Sequence, residues 1–249
     1  MTVQVERRGA VSVITIDRMA KRNAFDGATT DALDIALNEF EDNDAALVAV
    51  LTGGPAIFSA GTDIVASAGT PTERGGPYGI AGRRMRKPLI AAVEGVAAGG
   101  GFEIALSASM IVASSSATFS LPEVALGLIA ECGGLFRLPR ALPLNVAREL
   151  MLTGERLTAQ RAYELGLVNR LTDPGAALGV ALEMAERIAR LAPIAVRETL
   201  RAVESLYEQD DVDGWVSTDQ ARDQARASAD AAEGVAAFVE KRPARWTGR

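Results

Sequence analysis

Apolar and polar positions follow two rhythms along the first two thirds of the chain. Residues 3–7 and 11–17 alternate as strands do and flank Arg8-Gly9-Ala10, which predicts a β-hairpin. Unbroken apolar runs at 47–52 and 89–93 have the length and composition of buried strands, the first ended by Gly53-Gly54-Pro55 and the second introduced by Pro88. Between them a helix is predicted to begin at Thr29 or Thr30, both acceptable caps, with Leu33, Leu37 and Phe40 on one face. Shorter strands are predicted at 57–59, 110–113 and 118–120, and helices at 135–141, 143–152 and 158–165. Residues 67–78 are rich in Gly, Pro, Thr and Ser and read as a mobile surface segment, of the kind that often forms a lid over a site. Beyond Gly175 no strand is predicted, and 179–191, 194–207 and 212–232 all carry helical spacing.

Strands alternating with helices imply an α/β core whose helices cover the sheets. The expected organisation is a core over 1–193 that holds the site and a helical region over 194–249. Leu206, Trp215, Val235, Phe238 and Trp246 are more apolar surface than a thin helical layer buries, so this region is expected to pack on the core or on another subunit. The composition, 249 residues with 48% hydrophobic and 23% charged, suits a globular chain. A net charge of −6 argues against general nucleic-acid binding, although basic clusters remain at Lys21-Arg22, at Arg83-Arg84 with Arg86-Lys87, and at Lys241-Arg242. The first residues lack a signal-peptide layout and no apolar stretch approaches the ~20 residues of a membrane span, so a soluble, cytoplasmic protein is expected.

The chain has no histidine, which excludes Ser-His-Asp and Cys-His machinery and any His-ligated metal. Acid–base chemistry falls to carboxylates, Tyr or Lys. The single cysteine, Cys132, excludes an intrachain disulfide and, with no histidine to activate it, reads as a small buried apolar residue. After the strand at 89–93 comes a turn with three consecutive glycines, Gly99-Gly100-Gly101, and then a helix. Free N–H groups at a glycine-rich helix start can hold a negative oxygen, whereas a lone Gly pair would be a packing turn. Glu103 in the first helical turn and Glu123 after Pro122 are the candidate carboxylates. Their structural alternatives are an acid favoured by the helix dipole and a solvent-facing loop residue.

Phe58-Ser59-Ala60-Gly61-Thr62-Asp63-Ile64, Ala98-Gly99-Gly100-Gly101-Phe102-Glu103 and Leu121-Pro122-Glu123, with Leu152-Thr153-Gly154 and the run from Ala162 to Asn169, resemble the enoyl-CoA hydratase/isomerase (crotonase) superfamily in order and over nearly the whole chain. The resemblance implies a crotonase-like spiral of repeated strand-strand-helix units, a C-terminal helical trimerisation region, homotrimers or pairs of trimers, and acyl-coenzyme A thioesters as substrates, coenzyme A entering as part of the substrate with no permanently bound cofactor. It implies an oxyanion hole from the backbone N–H groups of Thr62 and Gly100, acid–base roles for Glu103 and Glu123, and coenzyme A contacts at Lys21, Ala60, Asp63 and Ile64 and, from a neighbouring subunit, Lys241. Asp63 could be read as a catalytic acid, but the position it matches in the family, beside the adenine-binding loop, implies a cap for the short helix after it. The reaction implied is hydration of a 2-enoyl thioester, with double-bond isomerisation and a catalytically silent acyl-CoA-binding subunit as alternatives. One departure stands out: Ala130-Glu131-Cys132-Gly133-Gly134 places a carboxylate where the family's hydratases have a small residue beside the catalytic water. Glu131 either enters the cleft, or turns outward or pairs with an arginine such as Arg137.

Overall fold

A computed structural model describes residues 2–249. Strands β1 (Val3–Arg8) and β2 (Val11–Ile16) form the expected antiparallel hairpin, and β2 is followed in parallel by β3 (Val48–Thr52), β4 (Leu89–Val93), β6 (Met110–Ser114) and β9 (Arg170–Thr172) to complete a six-stranded sheet. Every residue of β3 and β4 is buried. Their unbroken apolar runs are explained by the two cores they separate: Val48, Val50, Ile90 and Ala92 face one side, Ala49, Leu51, Ala91 and Val93 the other. The first side is closed by α6 (Ala177–Ala189), whose Ala177, Ala181 and Ala185 lie on one stripe small enough to bring the helix close to the sheet.

A second sheet holds β5 (Val96–Ala98), β7 (Thr118–Ser120) and β8 (Leu157–Thr158), with β5 and β7 parallel. Consecutive strands therefore go to different sheets, β4 to the first and β5 to the second before α2 (Gly100–Leu106), then β6 to the first and β7 to the second before α3 (Gly134–Ala141) and α4 (Leu144–Thr153). This is the strand-strand-helix spiral. Its small sheet ends at the glycine turn before α2 and at Pro122-Glu123, and so carries the candidate carboxylates to one place.

Five expectations change. Helix α1 (Gly27–Asp42) starts two residues before Thr29, because the Asp26 carboxylate caps it, accepting from the Thr29 N–H at 2.9 Å and from the Thr29 hydroxyl at 2.7 Å. The segment 57–59 pairs only as a Ser59–Ala97 bridge. Strand β9, three residues long, follows α5 (Ala159–Glu164) and carries too short a pattern to register in the sequence. The helical stretch expected over 212–232 is two helices, α8 (Glu208–Arg226) and α9 (Ala229–Glu240), broken where the Ser228 hydroxyl accepts from the Ala231 N–H at 3.1 Å. Nor does 67–78 lie free on the surface: Thr72 bonds Asp34 of α1 at 2.8 Å, and the segment ends in a turn that drives Tyr78 into the core. Helix α7 (Pro193–Ser205) buries no residue, α8 lies on α3, and α9 packs on the 3-10 turn Glu123–Leu126. Trp215 packs on the core as expected, meeting the Phe136 ring edge-on at 5.2 Å. Among the described residues no helix is long and apolar enough to cross a membrane.

Candidate active site

The site is assembled from two loops that neighbouring strands cannot hold alone. Asn23, fully buried with a φ of +55°, reaches across to the loop after β3, where its side-chain amide donates to the carbonyls of Gly53, Ile57 and Phe58 at 2.8, 3.0 and 3.2 Å, while its side-chain Oδ1 accepts from the Arg18 N–H at 2.9 Å and its backbone carbonyl is left for Ser59. Ser59 adds a bond to the Asn23 carbonyl at 2.8 Å. The chain then turns at Gly61, whose φ of +90° and absent side chain let it lie on the Ala98 carbonyl and the Gly100 N–H; a Cβ there would sit 2.7 and 3.0 Å from them. Phe25 donates to the Gly61 carbonyl and accepts from Asp63, both at 2.8 Å, so the N–H of the residue between, Thr62, faces away from Phe25. Gly100 opens α2, where an N–H has no acceptor four residues back. Two backbone donors, Thr62 and Gly100, thus come from adjoining loops.

Glu103 and Glu123 reach the same cleft in different surroundings. The Glu103 carboxylate is buried, and its Oε1 accepts from the N–H groups of Cys132 at 2.7 Å and Gly134 at 2.9 Å. Burial pushes its pKa up to about 7 against those two bonds, which favour the ionised form. Glu123 lies beside Gly99, its Oε1 3.2 Å from where a Cβ would stand, and its buried Oε2 has no hydrogen-bond partner among the described residues. Burial, with the Glu103 carboxylate close by, pushes its pKa up to about 8. The environments separate the two acids: Glu103, held by the amides of Cys132 and Gly134, ionises first, and Glu123, with Oε2 unpartnered and the Glu103 charge close by, keeps its proton longer.

The cleft of about 440 Å³ is lined by seven of the residues singled out in the sequence, Ala60, Thr62, Ile64, Gly100, Glu103, Glu123 and Glu131. Glu131 combines both expectations for it, lining the wall while its carboxylate pairs with Arg226 at the end of α8 and not with Arg137, which is buried against the Ala81 carbonyl at 2.7 Å. Lys21, Asp63 and Lys241 are not part of the lining. Asp63 is held by Arg18 at 2.9 Å, and its Oδ1 accepts from Val65 and Ala66 at 3.2 and 3.1 Å as a turn cap does. The Arg18 bond and those amides keep its pKa below the ordinary carboxylate range. Lys21 and Lys241 are exposed. Cys132 is buried, and burial with the nearby Glu103 carboxylate pushes its thiol up, so it is no nucleophile. Sequence reasoning marks the Asn23-Ala24 loop without giving Asn23 a role, and misses Tyr78 and Arg226. The left-handed backbone at Asn23 is the one signal that residue type offers, since Asn tolerates it.

A larger hollow of about 600 Å³ lies between residues 83–87 and α7, with Arg197, Arg201, Glu198 and Glu204 in its wall. Its wall mixes acids and bases. Chemistry of the kind read above belongs to the smaller cleft.

Two preset N–H donors opposite a split pair of carboxyls, carried on a spiral of strand-strand-helix units, define a crotonase-type protein. A family-wide sequence profile described as enoyl-CoA hydratase/isomerase matches residues 6–249. A carnitinyl-CoA dehydratase of Salmonella arizonae is 38% identical over 99% of this chain and 98% of its own length. Among solved structures, a carnitinyl-CoA hydratase from Mycobacterium avium superposes with a TM-score of 0.93 at 39% identity, and an enoyl-CoA hydratase from Mycobacterium tuberculosis with 0.81 at 41%, each covering 100% of this chain and 99% of the other. The chain belongs to the enoyl-CoA hydratase/isomerase family.

Proposed function

We propose that the protein is a hydro-lyase that adds water reversibly, in syn fashion, to a 2-enoyl-CoA thioester. One observation carries the reading: two carboxyls, Glu103 held by two backbone amides and Glu123 with a buried Oε2 that has no partner, share a cleft with the Thr62 and Gly100 N–H groups. The thioester oxygen is held by the Thr62 and Gly100 N–H groups. Glu103, ionised first, takes a proton from water as the hydroxyl adds to Cβ. The displaced π electrons move onto the thioester oxygen as an enolate, where the two donors stabilise the charge. Collapse of the enolate takes the proton of Glu123 at Cα, and reversal of each step dehydrates a 3-hydroxyacyl-CoA. The names of the relatives, hydratases and dehydratases, support this direction of chemistry. Coenzyme A enters as part of the substrate, along Ala60 and Ile64, with Lys21, Asp63 and a neighbour's Lys241 proposed to meet it outside the cleft.

Incubation with crotonyl-CoA should abolish its conjugated absorbance, and a 3-enoyl-CoA should give none. Conjugation growing from the 3-enoyl substrate, with crotonyl-CoA untouched, would instead identify a double-bond isomerase. Glu131→Gln removes a negative charge that raises both acids, so the pH–rate profile is expected to move to lower pH. An unmoved profile would mean that Arg226 already cancels the charge.

We further propose a homotrimer or a pair of trimers, with 194–249 as the assembling region. Ile194, Leu206 and Phe238 are 69%, 75% and 53% exposed, more apolar surface than a monomer holds in water without a partner. Truncation after Pro193 is expected to give aggregated protein in sedimentation velocity. A monodisperse active monomer would contradict the assembly.

A further inference from the structure

Tyr78 is the one aromatic side chain that lines the cleft, and the mechanism leaves it unused. Its φ of +56° is a left-handed conformation that a bulky residue adopts only when its surroundings compel it. Burial leaves the residue 5% exposed, and its ring is fixed edge-on to Phe25 at 5.5 Å and 76°. The constrained ring aims its hydroxyl at the two loops that supply the backbone donors: the oxygen is 2.6 Å from the Thr62 Oγ1, and a Cβ at Gly100 would collide with it. Only glycine at 100 therefore admits this hydroxyl. An aromatic ring needed solely as filler would gain nothing from a polar end in this position, and burying a hydroxyl is unfavourable unless its hydrogen bonds are made.

We propose that the Tyr78 hydroxyl is a third hydrogen-bond donor to the thioester oxygen, standing beside the Thr62 and Gly100 N–H groups and oriented by the Thr62 side chain. Either hydroxyl of the Thr62–Tyr78 pair can donate; with the thioester oxygen bound, Thr62 turns its hydroxyl proton to the phenol oxygen and the phenol's own proton goes to the ligand. Burial, with Cys132 and the Glu103 carboxylate nearby, holds the phenol's pKa well above its ordinary value, so Tyr78 acts as a donor and not as a base. No proton leaves it in the cycle. The extra donor gives the enolate charge a stabilising bond that strengthens as the charge develops, in a cleft that is partly dry. The inference rests on the acyl-CoA reading above and adds a reacting contact from a side chain to two from the backbone.

The test is the infrared carbonyl band of butanoyl-CoA labelled with carbon-13 at the thioester carbon and bound to the unaltered protein, to Tyr78→Phe and to Thr62→Val. Phe keeps the ring and its packing, and Val keeps the Thr62 N–H. Each donor lowers the carbonyl stretch, so the band is expected lowest in the unaltered protein and higher in both variants. Crotonyl-CoA hydration by Tyr78→Phe should fall about a hundredfold in kcat with KM little changed, as on loss of one oxyanion donor. If Tyr78→Phe does not fold, the Thr62→Val band decides by itself, since that side chain serves only to orient the phenol. One common band position for all three proteins overturns the proposal. An unaltered protein that binds no butanoyl-CoA overturns the acyl-CoA reading itself, and this inference with it.

Discussion

Glu103→Gln and Glu123→Gln are each expected to lower crotonyl-CoA turnover by about 10²–10⁴, while affinity for unreactive butanoyl-CoA stays within about tenfold, ~1.4 kcal/mol. Their pH behaviour should differ. In the unaltered protein the one-proton form of the pair, Glu103 ionised and Glu123 protonated, is the active one, so kcat/KM peaks between about 7 and about 8 and falls on both sides. Glu103→Gln should lose the acid limb of that bell and Glu123→Gln the alkaline limb. Stability carries an independent mark of the same burial. Both folded-state pKa values lie above the ordinary 4.5, so from there to about 8 the native chain holds more protons than the unfolded one and stability falls as pH rises. Glu123→Gln removes its share of that decline. At pH 9 the variant should melt higher than the unaltered protein, by roughly 2–4 °C for each kcal/mol recovered, although it is nearly inactive. Equal melting temperatures at pH 9 would show that Glu123 ionises in contact with water.

The second large effect is expected at Asn23, which touches no substrate. Its side chain satisfies the carbonyls of Gly53, Ile57 and Phe58 and the Arg18 N–H inside the core. Asn23→Ala strands these groups, at about 1–3 kcal/mol for a buried unpaired polar group and more where several are left. A total loss of ~2–4 kcal/mol should appear as a lower urea midpoint with an unchanged slope. Activity should fall as well, because the loop that Asn23 anchors carries the Thr62 N–H into the cleft. Asn23→Asp should be worse than Asn23→Ala at neutral pH, since it turns a donor facing three carbonyls into an acceptor. A urea midpoint unchanged in the alanine variant would remove Asn23 from this account.

Most of the framework was legible because burial on two faces leaves an unmistakable trace. The runs at 47–52 and 89–93 have no polar interruption before their last residue, and β3 and β4 are the strands buried throughout. The glycine triplet and the two glutamates were legible for a different reason: a chain without histidine has few ways to move protons, and order along the chain matched a family. What escaped notice depends on contacts distant in sequence. Glu131 meets Arg226, 95 residues on, and no local pattern announces that pairing. The break at Ser228 interrupts a helical rhythm that continues on either side of it, so spacing alone ran 212–232 together. Tyr78 was hidden in a stretch whose Gly and Pro content signals a surface loop. Those same glycines, Gly76 and Gly79 with φ of +65° and +73°, provide the turn by which the tyrosine descends into the core.

The central claim is that water adds across the double bond while one carboxyl gives and the other takes a proton on the same face. Running the hydration of crotonyl-CoA in D2O and reading the product by NMR tests it most directly. The account expects 3-hydroxybutanoyl-CoA with a single deuterium at Cα, syn to the new hydroxyl. Deuterium at Cγ without a hydroxyl at Cβ, or an anti relation between the two, would contradict it.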